Sequence, residues 1–448
     1  MPRLTFRRGD GHTGIVGTVT TATRADDADA EAIADACEDG GVTWRRGTAR
    51  AALRHRDFTI LWSGMFASNI GTWMQTIVLT QYGLKIGDKA FVGYLGFAVL
   101  GPLLLLAPVS GVLADVVDRR RFLLAMQTLQ LLGAFGLAGY VTVDRPSKLV
   151  IWIIVLLIGV TNALTGPAMS AISPSLVPKE DLPGAISLFS FQMNMSRVVG
   201  PLIGAPIYVR FGPAPVFVVN AVTYLFAMAG LILAKYPRRT GAVISETGFA
   251  RLASGFRIAW HDPLVRRVLL ILWSLSLLSL NFIQFMSGHA QDNLDIPAKS
   301  DAYGALYACF GLGAAAGAMS VGTVFARFDK AAMIRPAFVG MAGALLIFGL
   351  LQSSTPAYPI VLVLGFTYFV AITALSTVMQ ANITDQVRGR VMSLWIMGFG
   401  GAVGLASLMW APVAKWSVSF VLIFGAAWTL LLAVNSKPNL LRRETIDD

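Results

Sequence analysis

The feature that most constrains this chain is a series of apolar runs, each about 20 residues long. That is the length a helix needs to cross a hydrocarbon core of ~30 Å. Twelve runs read from the sequence, over residues 58–84, 90–114, 122–143, 149–173, 185–209, 214–234, 268–289, 302–326, 332–352, 358–381, 391–413 and 416–434. Backbone amides find no water partner in lipid, so each run is predicted to be a helix and the chain an all-α membrane protein. The composition, 55% hydrophobic and 14% charged, excludes a string of soluble domains. Hydropathy is lowest in the fifth and eleventh runs, diluted by Arg197 and by a dense glycine series respectively.

The basic residues set the expected orientation. With both termini in the cytoplasm, 24 of the 36 Lys and Arg residues fall on the inner side and 7 on the outer side. Four more lie in the far N-terminal tail, and Arg197 lies inside a span. Such an excess of inner positive charge is the usual topogenic signal. The net charge of +11 is therefore read as topology and contact with anionic lipid, and no nucleic acid partner is expected. Cys37 and Cys309 lie in a polar tail and an apolar run, so no disulfide framework is implied. No apolar segment of signal-peptide type occurs in the first 50 residues, and insertion falls to the first span. The multi-pass chain is expected in the bacterial inner membrane, as a monomer.

Five regions follow. Residues 1–50 carry Asp26, Asp27, Asp29, Glu31, Asp35, Glu38 and Asp39 with few large apolar residues, and are predicted to be a disordered cytoplasmic tail. Residues 51–234 hold six spans and 268–434 six more, with a short cytoplasmic tail at 435–448. The connection 235–267 places Phe249, Leu252, Phe256 and Trp260 at helical spacing with Arg251 and Arg257 elsewhere. That pattern fits either an amphipathic helix on the membrane surface or a simple linker. The halves echo each other: Gly111…Asp118-Arg119 has a counterpart in Gly322…Asp329-Lys330, and Pro183-Gly184 through Leu188 one in Arg388-Gly389 through Leu394. Two six-span halves are what a rocking transporter needs, with its site between them.

The turn Gly111-Val-Leu-Ala-Asp-Val-Val-Asp-Arg-Arg-Arg121 has the spacing G-x-L-A-D-x-x-x-R-R/K. It resembles the loop between helices 2 and 3 of major facilitator superfamily transporters, and the resemblance covers roughly residues 55–435. Asp115 is expected to accept hydrogen bonds from free amides at the start of helix 11 near Val391 and to pair with Arg119 or Arg390, beside Arg120. Such a latch would hold the cytoplasmic gate shut; the alternative is a solvated turn with topogenic arginines. Helix 5 continues as Gly200-Pro201-Leu-Ile-Gly204-Ala205, similar to the G-P-x-x-G-G pattern of exporters, with Ala205 in place of the last glycine. Leu176 through Leu188, Asn194 through Pro201 and Asp385-Gln-Val-Arg388-Gly-Arg390 resemble a narrower bacterial efflux branch. That branch includes enterobactin exporters and transmembrane secretion effectors; many of its members carry an Arg after Pro-Ala, where Ala168 is here followed by Met169.

Polar residues inside spans are costly unless they face protein or water. No carboxylate sits mid-membrane. Arg197 lies about twelve residues past the start of the fifth run, ~18 Å deep, on one face with Ser190 and Asn194. It is read either as an attractor for an anionic or phenolic substrate group or as a structural arginine bonded to backbone carbonyls. Asn69, Thr72, Gln75, Thr76 and Thr80 mark the first span, Asn162 and Thr165 the fourth, Asn281 and Gln284 the seventh, and Thr373, Ser376, Thr377 and Gln380 the tenth. In the family it resembles these four spans line the central cavity; the other reading for each is helix–helix hydrogen bonding. Trp73, Phe285, Tyr368 and Trp395 are candidates for the floor of a greasy pocket.

The resemblance implies secondary efflux of small amphipathic molecules by alternating access, coupled to proton antiport. No G-x-x-x-x-G-K-S/T loop for ATP is present; no cofactor and no metal are implied, and with four scattered histidines an enzyme is not expected. His289 and Asp301 are candidates for handling the proton. An importer on the same fold and a non-transporting membrane scaffold or sensor are the alternatives.

Overall fold

The computed structural model describes residues 47–116, 118–172, 176–236, 248–297 and 299–441. The described residues are helical throughout, with no strand among them. A short helix α1 (Ala49–Arg54) leads into α2 (Arg56–Ile86), α3 (Lys89–Val116), α4 (Arg119–Tyr140), α5 (Lys148–Ile172), α6 (Leu182–Phe211) and α7 (Pro213–Leu233). After the connection come α8 (Gly248–His261), α9 (Pro263–Leu278), α10 (Phe282–Asn293), α11 (Asp301–Gly322), α12 (Lys330–Leu350), α13 (Ala357–Ala381), α14 (Asp385–Ile396), α15 (Ala402–Trp416) and α16 (Val418–Asn435). The first 46 residues, and with them most of the predicted tail, lie outside the described residues; so does the tail from 442 onward.

Helix starts follow the sequence. Asp118 accepts from the Arg121 amide (2.8 Å) to cap α4, Asp262 from Leu264 and Val265 to cap α9, Ser300 from Tyr303 to cap α11, and Ser417 from Phe420 to cap α16. Between α6 and α7 the chain turns at Gly212, whose φ of +84° suits glycine, and Pro213 then opens the next helix.

Among the described residues, ten spans are long and apolar enough to cross a membrane. Eight are single helices; α9 with α10, and α14 with α15, make up the other two. The helices α2 and α6, with 31 and 30 residues, have the length, but Asn69, Gln75 and Gln81 in one and Arg197 in the other lower their hydropathy.

Two spans are not uninterrupted rods. The seventh breaks between Leu278 and Phe282. The break frees the Leu277 carbonyl, which accepts from Trp410 Nε1 (2.9 Å) and Asn281 Nδ2 (3.1 Å). Partners of this kind are what allow a helix to break inside a bilayer. In the eleventh span a π-helical turn, Met397–Gly401, joins α14 to α15. Glycines in and after that turn admit a neighbour: a Cβ at Gly401 or Gly404 would strike the backbone of Leu104 or Gly101 on α3.

The packing divides the chain into two halves. In the first, α2 packs on α6 and α7, and α3 and α4 pack on α5; in the second, α13 packs on α11 and α12, and α12 on α16. Two seams join the halves, α3 against α15 and α6 against α11. Both are closed by small residues near the Gly87 turn. A Cβ at Gly93 would meet the Ser407 carbonyl at 2.6 Å, and one at Gly304 would meet the Ala205 methyl at 2.4 Å. Two ion pairs lie at the same end, Lys89 with Asp292 and Lys415 Nζ with Asp88 Oδ2 at 3.3 Å. Exposed pairs contribute roughly 0–1 kcal/mol each, so close packing of the seams dominates closure here and the charges add to it.

Within the connection between halves, Gly248–His261 form a helix. Phe256 and Trp260 are exposed on it, while Gly255 rests against the Arg390 backbone. An apolar face left bare beside a membrane-embedded bundle fits a helix in the interfacial plane.

Candidate functional site

Arg197 stands fifteen residues into α6, about 22 Å along the helix, and faces the opposite half. Its guanidinium carbon lies 4.7 Å from the Phe369 ring centroid and 5.1 Å from that of Trp73. The Trp73 ring belongs to the first half and Phe369 to the second, so one side chain bridges both. Its charge is attracted by the quadrupoles of two rings, an arrangement worth about 2 kcal/mol or more per ring when water is excluded. No ion pair or hydrogen bond to Arg197 occurs among the described residues, and its Nε is buried without a partner.

Aromatic rings extend the floor. Trp73 and Tyr307 sit 6.5 Å apart, Tyr307 and Phe310 6.0 Å, Phe310 and Tyr368 6.3 Å, and Phe282 packs edge-on against Phe310 and Tyr368. Small residues bring the helices this close. A Cβ at Gly200 would strike Trp73, one at Gly204 would press on Met74, and one at Gly311 would stand 2.9 Å from the Arg197 carbonyl. Pro201 and Ala205 back onto Gly304. The Gly200-Pro201…Gly204 motif therefore serves to seat α6 between α2 and α11.

The other expected polar residues divide. Asn194 lies one turn before Arg197 and donates to the Ser190 carbonyl (2.8 Å), leaving its Oδ1 buried and unpartnered. Asn69 is half-buried one turn before Trp73, and Thr373 half-buried one turn after Phe369. Asn194, Asn69 and Thr373 thus each lie about one helical turn from Arg197 or from a ring that cages it. Four further residues expected to bind substrate are engaged elsewhere. Gln75 is buried inside the first half and accepts from Asn220 Nδ2 at 2.7 Å. Asn281 caps the helix break, Gln284 reaches the Val92 carbonyl across the α3 seam, and Asn162 accepts from Gln130 on α4. A span full of polar residues does not say which of them its neighbours will consume.

Of the pocket-floor aromatics, Trp73 and Tyr368 stand at the site. Phe285 packs on Gly93 in the seam, and the buried Trp395 lies in α14. Tyr307, Phe310 and Phe369, missed from the sequence, face the site because α11 and α13 pack tightly through Gly313, Gly317 and Gly365; that glycine spacing was the one signal available, and it went unused.

The side chains of Gly111–Asp115 and of Asp385 lie outside the described residues, and so does the expected latch contact of Asp115. Arg119, Arg388 and Arg390 all have interactions. Arg120 donates to the Ile232 carbonyl (2.6 Å) and stands over the Tyr236 ring, tying α4 to the end of α7. His289 is buried in the second half; since a carbonyl only accepts, its Nε2 carries the proton given to Phe348 O (2.7 Å). Among the described residues no cluster of three metal-ligating side chains occurs.

The chain matches the protein family described as transmembrane secretion effector over residues 47–445. Curated relatives include an enterobactin exporter EntS of Escherichia coli O1:K1 / APEC, 26% identical over 403 residues and covering 86% of this chain and 91% of that one. The EntS of Shigella boydii serotype 18 is 27% identical with the same coverage. Among solved structures, the nucleoside transporter NupG aligns with a TM-score of 0.67 at 12% identity, over 87% of this chain and all of the other. The POT family transporter PepTSo aligns at 0.65 and 13%, over 88% and 99%. At these identities the solved structures establish the fold alone.

Proposed function

The chain belongs to the transmembrane secretion effector family of major facilitator efflux transporters, and we propose that it exports small amphipathic molecules bearing an anionic or phenolic group. The observation that carries this reading is Arg197, an unpaired cation caged by Trp73 and Phe369 where the two halves meet. A cation without a counter-ion in a ring-lined site favours a ligand that supplies both a negative group and a flat apolar surface. Siderophores, drugs and metabolites of this kind are the class; the relatives named as enterobactin exporters support export over import.

In this reading α2 and α6 complete a set of twelve spans with the ten that are apolar enough on their own. The inner membrane holds the chain with both termini and the Asp118 turn on the cytoplasmic side, as a monomer. The Gly87 turn then faces outward, and the packed seams with the Lys89–Asp292 and Lys415–Asp88 pairs form a closed outer gate. Cargo enters from the cytoplasm, meets Arg197, and leaves when the halves rock. Proton antiport supplies the energy. The second half contributes Tyr307, Tyr368 and Phe369 to the site, so rocking takes half of the cage away from Arg197, and affinity falls as the site opens outward.

The test is flux in proteoliposomes, comparing an aromatic carboxylate with a size-matched aromatic amine. Preferential transport of the carboxylate, lost in Arg197→Ala, supports the reading; equal transport of both by wild type and variant refutes it.

A further inference from the structure

A second cleft, of about 580 Å³, opens between the halves at the Gly87 end. The first half lines it with Gln81, Lys85 and Tyr208, the second with Gln291, Asp295 and Lys299. Tyr208 lies eleven residues past Arg197 on α6, about 16 Å along the helix, so the cleft is separate from the ring-lined site. Its floor carries two unmet polar groups. Gln81 is fully buried with both amide atoms unpartnered, and the Tyr208 hydroxyl is buried without a partner. Lys299 Nζ stands 5.8 Å from the centre of the Tyr208 ring.

Buried polar atoms are nearly always satisfied, and those left over mark places where a partner is still to come. A primary amide lacking both its bonds is matched best by another amide, which offers one donor and one acceptor side by side. Two lysines against the single carboxylate of Asp295 leave the rim positive, which selects a ligand with a negative group beyond the amide. The Tyr208 ring, buried behind the lining, adds a flat apolar wall.

We propose that this cleft is a second binding site, taking N-acylated amino acids and similar amides with a carboxylate. Gln81 pairs with the amide and Lys299 with the carboxylate. Because both halves line it, an occupant stabilises their approach at this end. Binding in this cleft does not rest on the efflux reading.

The test uses the full chain in lipid nanodiscs and isothermal titration with N-benzoylglycine. Measured in an Arg197→Ala background, so that the ring-lined site does not contribute, saturable binding is expected and is weakened by about tenfold or more, some 1.4 kcal/mol, on adding either Gln81→Leu or Lys299→Gln. N-benzoylglycinamide, lacking the charge, and 4-phenylbutyrate, lacking the amide, should each bind more weakly. Lys299 is exposed, so its variant carries the test even if Gln81→Leu does not fold. Absence of saturable binding to the Arg197→Ala protein, or an affinity there that Lys299→Gln leaves unchanged, overturns the proposal. Loss of transport selectivity in Arg197→Ala with N-benzoylglycine binding intact leaves both sites standing, while transport that is indifferent to Arg197 sinks the efflux reading without touching this one.

Discussion

The guanidinium of Arg197 stacks 4.7 Å from the ring centre of Phe369, joining a charge from the first half to an aromatic face from the second. The contact exists only while α6 and α13 are near each other, so the affinity of the site is coupled to the relative position of the halves. Arg197→Ala is expected to reduce flux of anionic substrates by about tenfold or more, the effect of losing a charge-assisted bond of ~1.5–3 kcal/mol, and of cationic substrates by far less. Concentration-dependent uptake into inverted vesicles measures both. A uniform loss would assign Arg197 a structural role instead.

Gln75 and Asn220 form a buried pair inside the first half. Gln75→Leu leaves the Asn220 amide without its acceptor and should cost about 1–3 kcal/mol, seen as a lower melting temperature. Adding Asn220→Leu removes the orphaned group and should recover much of the loss. Substrate affinity should stay within a few fold throughout; a large change in affinity with unchanged melting would return Gln75 to the binding site.

How much of this was legible in the sequence varies with the range of the interaction. Ten of the spans were, because ~20 apolar residues in a bilayer leave the backbone one solution; at α8 the helical spacing of Phe249, Leu252, Phe256 and Trp260 left a helix and a simple linker equally open. The break at 279–281 was not, since its stabilising donor, Trp410, is 133 residues from the carbonyl it meets. That Arg197 must meet protein partners was legible from its cost in lipid. Tyr307 and Phe369 were not, because aromatic residues are common in membrane helices and only the glycine seams decide which of them face inward.

Asp88 gives the Gly87 end a pH dependence. Burial opposes its ionisation, but the Phe91 amide and the Lys415 and Lys148 ammonium groups outweigh that and hold its carboxyl below the usual range. A lowered folded value means the stabilisation is complete above the ordinary carboxylate pKa of about 3.9 and is lost as pH falls from there through the folded value. Spin labels on α3 and α15 near this end should report constant separation between pH 7 and 5 and widening only in stronger acid. Asp88→Asn should widen the distribution at neutral pH and remove the acid step; an unchanged acid step would mean another group titrates.

Asp115→Asn is expected to cut flux while leaving equilibrium substrate affinity within a few fold, because a gate latch biases a conformational equilibrium without touching the ligand. Transport and binding measured on the same preparation separate the two quantities. Equal loss of both would argue against a latch.

The central claim is that substrate moves because two halves rock about a shared site. Replacing Lys89 and Asp292 with cysteine, in a chain lacking Cys37 and Cys309, allows a reducible bis-maleimide to tether α3 to α10 across the closed end. Flux in proteoliposomes should vanish on tethering and return on reduction of the linker. Undiminished flux through the tethered protein would contradict the account.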